Sequence, residues 1–177
     1  MRVLVVVDAQ EDFITGALGS EEAQKVLPNI IEKIKSYRDV NPIILTYDTH
    51  HQDYLKTQEG KFLPVEHCIL GTDGFEIHPD IIKALGRKYR MALFKNTFGS
   101  RHLPILLEQC SMVYKEIEAF ELVGYVLDIC VISNALLLKA YYPEVPIYVD
   151  TNCCSATSKE AFDAAVTILK SCQINVV

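Results

Sequence analysis

The sequence lacks three features that would place it in large classes of protein. It has no apolar run near the roughly 20 residues that a membrane-spanning helix requires. Its first apolar stretch is short and is soon followed by acidic residues, which is not typical of a signal peptide. It has no lysine or arginine cluster, and its formal net charge of −6 argues against nucleic acid as a partner. We therefore expect a cytoplasmic protein whose partners are small molecules, with no membrane or nucleic-acid partner.

The cysteines show no pairing rhythm. Six of them occur, at positions 68, 110, 130, 153, 154 and 172, and the chain contains no tryptophan. A chain of 177 residues that is 50% hydrophobic can bury a substantial core without crosslinks. Reduced thiols in a single domain spanning 1–177 are therefore the simpler expectation.

Short apolar runs rich in β-branched residues alternate with amphipathic stretches along the chain. Apolar residues at helical spacing, such as Val26, Ile30 and Ile34, mark the amphipathic stretches as helical crossovers between parallel strands. The pattern predicts a three-layer α/β/α fold with a six-stranded, mostly parallel sheet. The predicted strands are 2–7, 42–47, 91–94, 119–126, 146–149 and 174–177. The predicted helices are 22–40, 81–85, 104–108, 132–141 and 159–171.

One segment, 48–78, does not follow this alternation. It is rich in turn formers and histidines and has few periodic apolar positions. A long irregular stretch inside a compact domain is usually functional or disordered. We therefore interpret this segment as a loop that contributes to a metal or substrate site.

Reactive side chains stand at the ends of the predicted strands, where open α/β sheets bind their ligands. Asp8 and Asp48 follow the first two strands, Lys95 follows the third, and Cys130 lies at the turn from the fourth strand into a helix. A thiol at the start of a helix is in a position that favours the reactive thiolate. Each residue also has an ordinary structural role open to it: a strand-end aspartate often caps a turn, a lone lysine is usually a surface charge, and a lone cysteine is usually buried.

Three motifs resemble those of one known family, the isochorismatase-like cysteine hydrolases, and most closely its nicotinamidase/pyrazinamidase branch. The motifs are Asp8-Ala9-Gln10-Glu11-Asp12-Phe13, Pro64-Val65-Glu66-His67-Cys68-Ile69-Leu70-Gly71-Thr72, and the turn from Gly124 to Val131. The resemblance covers nearly the whole chain and implies the isochorismatase-like hydrolase fold. It also implies a catalytic triad of Asp8, Lys95 and Cys130.

The same resemblance implies a binding site for one divalent metal ion, with Asp48, His50 and His67 as ligands. Asp48 and His50 lie two residues apart on an extended segment, so their side chains point to the same side. Such a nitrogen and oxygen ligand set suits zinc, iron or manganese. Whether Glu59 is a fourth ligand stays open. We interpret His51 and His78 as surface or supporting residues, and His102 as a residue at a helix start.

Further roles follow from the family. Phe13 is expected to flank the substrate ring, and the backbone N–H groups of Val126 and Cys130 to form an oxyanion hole beside a cis peptide bond between Tyr125 and Val126. Relatives that cleave isochorismate lack the nucleophilic cysteine, so Cys130 argues against that branch. Members of the family often form homo-oligomers, which we also expect here.

The expected reaction is the hydrolysis of nicotinamide to nicotinate and ammonia through a thioester on Cys130, with Asp8 as general acid and base and Lys95 as charge partner. Two alternatives stay open. The chain could be a cysteine amidase acting on a different small amide, because Thr49 and Val126-Leu127 depart from the family pattern in the pocket. It could also be a non-enzymatic, redox-sensing, metal-binding protein.

Overall fold

The computed structural model describes residues 1–88, 90–113 and 116–177, with the side chains of 110–113 left out. The strands are β1 (Arg2–Val7), β2 (Ile43–Asp48), β3 (Arg90–Lys95), β4 (Ala119–Gly124), β5 (Ile147–Cys154) and β6 (Asn175–Val176). The helices are α1 (Glu11–Ile14), α2 (Glu21–Ser36), α3 (Gln58–Phe62), α4 (Pro79–Leu85), α5 (His102–Val113), α6 (Ile132–Tyr141) and α7 (Lys159–Ser171).

The described strands form one sheet in the order β3-β2-β1-β4-β5-β6, and every pair in it is parallel. The predicted α/β/α fold is confirmed, although the sheet is entirely rather than mostly parallel. Because the chain runs outward from β1 to β3 and then returns to β4, the strand order reverses between β1 and β4. Open α/β sheets bind ligands at such a point, outside the carboxyl ends of the strands.

Alternating side chains of β1 pack into two hydrophobic cores, one on each face of the sheet. Val3, Val5 and Val7 pack into the core on the side of α5, α6 and α7, whereas Leu4 and Val6 pack into the core on the side of α1, α2 and α4. A β-strand points successive side chains to opposite faces, so a strand covered on both faces is apolar throughout. This explains why the run from 3 to 7 contains only valine and leucine.

Serine caps set the starts of two helices. The Ser20 hydroxyl accepts a hydrogen bond from the Ala23 N–H at 3.0 Å, and Ser158 does the same for Ala161 at 3.1 Å. Helix α2 ends at Ser36 instead of continuing to the predicted position 40. Tyr37 has extended backbone, and its buried side chain donates its hydroxyl hydrogen to Glu121 Oε2 at 2.6 Å, so the chain leaves the helix there.

The segment 48–78 folds from short pieces: α3 and two 3₁₀ turns, at Tyr54–Lys56 and Asp73–Phe75. Its first residues are joined to the stretch around Cys68 by backbone hydrogen bonds from His50 N–H to the Cys68 carbonyl, at 3.0 Å, and from Leu70 N–H to the His50 carbonyl, at 2.9 Å. These bonds place the residues around position 67 beside the end of β2.

Across 1–88, 90–113 and 116–177, no helix is both long enough and apolar enough to cross a membrane. Five cysteines, at 68, 130, 153, 154 and 172, are free thiols. The side chain of Cys110 lies outside the described part of the chain.

Candidate active site

Side chains from the ends of four neighbouring strands meet at the carboxyl edge of the sheet. Asp8 follows β1, Asp48 ends β2, Lys95 ends β3, and Cys130 lies in the turn after β4. A cavity of about 1080 Å³ opens at this edge, and Cys130 and Asp48 are part of its wall. The topology therefore gathers residues that are far apart in sequence into one concave site.

Lys95 is the centre of the charged group. Its Nζ lies 2.7 Å from Asp8 Oδ2, 3.4 Å from Asp48 Oδ1 and 3.6 Å from Cys130 Sγ. All four side chains are buried. A buried ammonium is stable only when paired, and here two carboxylates compensate its charge. The structure thus brings Asp8, Lys95 and Cys130 into mutual contact range, as the resemblance implies.

The surroundings shift the protonation of this group. Burial raises the pKa of Asp8, and the charge of Lys95 opposes that rise only in part. The pKa of Lys95 is raised because its anionic neighbours, Asp8 first, outweigh the effect of burial. Burial, assisted by Asp8, also raises the pKa of the Cys130 thiol well above its usual value. The expectation of a lowered thiol pKa at the helix start is therefore wrong for the resting site, which holds a neutral thiol beside an unusually basic carboxylate.

Asp8 is held in place by Thr46, a buried polar residue of β2 that follows the apolar run from Ile43 to Leu45. The Thr46 hydroxyl donates to Asp8 Oδ1 at 2.6 Å and accepts from the Asp8 N–H at 3.1 Å. Asp8 itself has a φ of 48°, in the left-handed region that non-glycine residues seldom adopt. Such conformations are concentrated at functional sites, where the surrounding contacts maintain them. The backbone at Asp8 therefore marks the end of β1 as a specialised position.

Cys130 sits in a single π-helical turn, Leu127–Val131, that leads from β4 into α6. Asn134, on the next turn of the helix, donates through Nδ2 to the Cys130 carbonyl at 2.8 Å and accepts through Oδ1 from the Ser100 N–H at 2.9 Å. The buried Asn134 amide thus joins the turn that bears the thiol to the loop after β3. The peptide bond between Tyr125 and Val126 is cis, at the position where the resemblance implies one.

A second cluster of donor atoms lies next to the thiol. One ligand atom each from Asp48, His50, Glu59 and His67 lies within 4.8 Å of all the others. The closest pairs are His50 Nε2 and His67 Nε2 to Asp48 Oδ2, at 3.0 and 3.4 Å, and the two histidines lie 3.6 and 3.8 Å from Glu59 Oε1. Ligands at about 2.1 Å from a tetrahedral ion are separated by about 3.4 Å. The cluster therefore fits a divalent metal ion in size and in chemistry.

Hydrogen bonds orient the cluster for this role. His67 Nδ1 lies 2.8 Å from the Val65 carbonyl, and this contact fixes the ring so that Nε2 faces Asp48 Oδ2 and the rest of the cluster. Although burial alone would raise the pKa of Asp48, hydrogen bonds from the two histidines and the charge of Lys95 hold it well below its usual range. Asp48 is thus ionised, as a metal ligand must be.

Gln10 fixes the backbone at Asp48. The buried amide of Gln10 donates through Nε2 to the Asp48 carbonyl and to the Phe75 carbonyl, both at 2.8 Å. Its Oε1 accepts from the Asp48 N–H at 2.7 Å. One side chain therefore pairs both backbone groups of Asp48 and ties them to the far end of the segment 48–78.

Asp12 fixes the backbone next to His67, at the opposite side of the donor cluster from Asp48. Its Oδ2 accepts from the Cys68 N–H at 2.8 Å, and its Oδ1 accepts from the Ala17 N–H at 3.0 Å. Cys68 has a φ of 47°, which places the neighbouring His67 on a sharp backbone turn. Phe13 contacts the His67 ring edge-on, with 5.6 Å between ring centroids, and lines the cavity. The motif 8–13 therefore supports both the charged group and the donor cluster.

A model of the isochorismatase domain matches residues 2–177 of the chain. The chain belongs to the isochorismatase family. Among solved structures, this isochorismatase-family chain is similar to nicotinamidase/pyrazinamidase from Bacillus subtilis, with a TM-score of 0.84 and 23% identity over 99% of this chain and 98% of the other. It is also similar to pyrazinamidase of Pyrococcus horikoshii in complex with zinc, with a TM-score of 0.82 and 22% identity over 99% and 98% of the two chains.

A third similar structure is N-carbamoylsarcosine amidase from Thermoplasma acidophilum, with a TM-score of 0.79 and 22% identity over 99% of this chain and 94% of the other. A sequence search of curated proteins found no match. The isochorismatase-like hydrolase fold predicted from the motifs is thus confirmed, and the chain is a hydrolase of that family.

The other histidines named from the sequence lie outside the donor cluster. His51 is exposed at the cavity wall, His78 caps α4 by accepting from the Asp80 N–H, and His102 is the first residue of α5. Glu59, left open from the sequence, reaches the donor cluster from α3. The supporting contacts of Gln10, Thr46 and Asn134 were not predicted, although a polar residue directly after the apolar run of β2 is a signal that singles out Thr46.

Proposed function

We propose that this isochorismatase-family hydrolase cleaves a small carboxamide, with nicotinamide to nicotinate and ammonia as the leading reaction. The observation that supports it most is that Cys130, in contact with the buried pair Lys95 and Asp8, lines the same cavity as a cluster of four metal-donor side chains. A carboxamide is a poor electrophile, so its hydrolysis requires a strong nucleophile, a positioned proton carrier and stabilisation of the oxyanion. The site offers a candidate for each requirement.

In the first half of the reaction, Asp8 takes the proton of the Cys130 thiol as Sγ attacks the carbonyl carbon of the amide. Because burial raises the pKa of Asp8, it is a stronger base than an ordinary carboxylate. The negative oxygen of the tetrahedral intermediate is stabilised by the backbone N–H groups of Val126 and Cys130. Asp8 then gives its proton to the departing nitrogen, the C–N bond breaks, and ammonia leaves a thioester on Cys130.

In the second half, a water molecule attacks the thioester while Asp8 accepts its proton. The C–S bond breaks, the carboxylic acid is released, and the proton returns from Asp8 to the thiolate. Lys95 keeps its charge throughout, because its pKa is raised, and it stabilises both Asp8 as a carboxylate and Cys130 as a thiolate. Tyr125 supports the turn by donating its hydroxyl hydrogen to the Ala23 carbonyl at 3.0 Å.

We assign the donor cluster as a metal site held by Asp48, His50, Glu59 and His67, with zinc, iron or manganese as suitable ions. A bound ion would attract a ring nitrogen of the substrate and so orient the amide towards Cys130. Phe13, in edge contact with His67, then lies where it can pack against the substrate ring.

The redox-sensor alternative receives no support from the thiol environment. Sensor cysteines combine an accessible sulfur with a low pKa. Cys130 is buried and its pKa is raised. An amidase that acts on an amide other than nicotinamide uses the same chemistry, and the choice between substrates rests on the cavity.

Ammonia release from purified protein tests the proposal. Wild-type protein should release ammonia from nicotinamide and pyrazinamide, and Cys130→Ala should lower kcat by at least about 10³-fold because no nucleophile remains. Cys172→Ala removes a cysteine outside the cavity and is the matched control. Full turnover by Cys130→Ala would disprove the thioester route, and a lack of ammonia from every amide tested would disprove the amidase function.

A further inference from the structure

The cavity is large for the substrate named above. Its volume of about 1080 Å³ reaches the upper end of the roughly 300–1,000 Å³ that pockets for drug-sized ligands occupy. Nicotinamide is a single pyridine ring with one amide, a fragment by comparison. Most of the cavity therefore lies beyond the reach of an amide held at Cys130 and the donor cluster.

The outer part of the cavity is apolar and exposed. Phe62, Leu63 and Phe98 line it, and their exposed fractions are 82%, 37% and 49%. Large apolar side chains of this kind are costly in water and mark binding surfaces when they cluster. Because this patch of three side chains lines the same cavity as Cys130, its occupant is best sought in the substrate itself.

The charged residues around the cavity restrict the charge that the substrate can carry. Among the described residues that line it, none is lysine or arginine, while Asp48, Asp53 and Glu59 contribute carboxylates. Lys95 is buried and already paired with Asp8 and Asp48. Beyond the proposed metal ion, whose ligands include Asp48 and Glu59, an anionic substituent on the substrate would find no lysine or arginine among these lining residues and would face the Asp53 carboxylate.

We infer that the substrate is a neutral carboxamide whose ring bears an apolar substituent, and that Phe62, Leu63 and Phe98 cover this substituent. The inference rests on the proposed amidase function and narrows its substrate class. Covering an additional apolar group removes it and the three side chains from water together, which favours the substituted amide over nicotinamide. The same arrangement rejects amides that carry an anionic group.

The test compares kcat/KM for three kinds of amide. These are nicotinamide itself, nicotinamides bearing a phenyl group at carbon 5 or 6, and nicotinamides bearing a carboxylate group at the same carbons. We expect the better phenyl compound to exceed nicotinamide by about 10-fold or more, and the carboxylates to fall below it. Phe62→Ala should lower the ratio of phenyl compound to nicotinamide by about 10-fold. Phe94→Ala, a change at a phenylalanine that is 54% exposed and lies outside the cavity, should leave this ratio unchanged.

The outcomes separate the two proposals. If nicotinamide is hydrolysed but neither phenyl compound is preferred, the inference about the substituent is overturned while the amidase function stands. If no amide is hydrolysed, both the amidase function and the inference about the substituent are wrong. If Phe62→Ala changes the mass of the particle in light scattering and leaves the substrate ratio alone, the patch is a contact between copies of the chain, and the inference is again overturned.

Discussion

Replacing Gln10 by leucine should damage the proposed metal site without changing any of its proposed ligands. The Gln10 amide pairs with three buried backbone groups, namely the N–H and the carbonyl of Asp48 and the carbonyl of Phe75. Leucine has a similar size and none of these hydrogen bonds. The Asp48 backbone would then lose the contacts that hold it against the 8–13 motif, and the carboxylate of Asp48 would lose its fixed position in the donor cluster.

The magnitude follows from the three lost bonds. A buried polar group without a partner costs about 1–3 kcal/mol, and carbonyl oxygens cost less than an N–H because they have a second lone pair. We expect Gln10→Leu to lower the free energy of unfolding by about 4 kcal/mol. For a chain of 177 residues this corresponds to a fall in Tm of roughly 8–16 °C. Loss of a group that orients a metal ligand should also weaken metal affinity by about 10- to 100-fold.

Calorimetry and a Co²⁺ titration of the apo protein measure the two effects separately. Gln24→Leu is the matched control, because Gln24 is exposed on α2 and this change should cost no more than about 0.5 kcal/mol. Gln10→Glu keeps the shape and the acceptor but turns an oxygen towards two carbonyls, so it should be nearly as harmful as leucine. A Gln10→Leu protein within about 1 kcal/mol of wild type, with unchanged Co²⁺ affinity, would refute the argument.

Three further predictions concern other parts of the site. Because Gly124 has a φ of 124° and an added Cβ would collide with the Val7 carbonyl, Gly124→Ala should lower Tm strongly in calorimetry, and an unchanged Tm would contradict this. The proposed mechanism requires the carboxylate of Asp8, whose pKa is raised by burial, so kcat/KM should fall with decreasing pH while the pH is still above 3.8; an acidic limb at or below that value would argue against Asp8 as the base. His67→Ala should abolish stoichiometric metal in elemental analysis and Glu59→Gln should only weaken it; full metal content in His67→Ala would remove the assignment.

The sequence predicted the parts of the fold and site that depend on local pattern. The apolar runs of β1 and β2 are buried on both faces, so the sequence pattern predicted β1 at its observed bounds and β2 to within one residue at each end. The ends of parallel strands share one edge of the sheet, which is why Asp8, Asp48 and Lys95 could be expected close together before any coordinates.

Features that depend on long-range contacts could not be predicted in the same way. The five residues of α3 are too few to show a helical period, so the approach of Glu59 to the donor cluster was left open. Gln10 stands in the first motif, but its partners, Asp48 and Phe75, come from distant parts of the chain. The thiol pKa also depended on tertiary structure, because burial beside Asp8 outweighs the local effect of the helix start.

The strand order described above also bears on how the protein folds. The candidate site needs the ends of β3, β2, β1 and β4 to be side by side, and parallel neighbours cannot be joined by a short hairpin. Each strand pairing that builds the site therefore brings together residues far apart in sequence. Such pairings have a large loop-closure entropy, so they form slowly and late in folding. Refolding protein should thus recover helical circular dichroism before it recovers metal binding, and nascent chains should be inactive until β4 has emerged and docked beside β1.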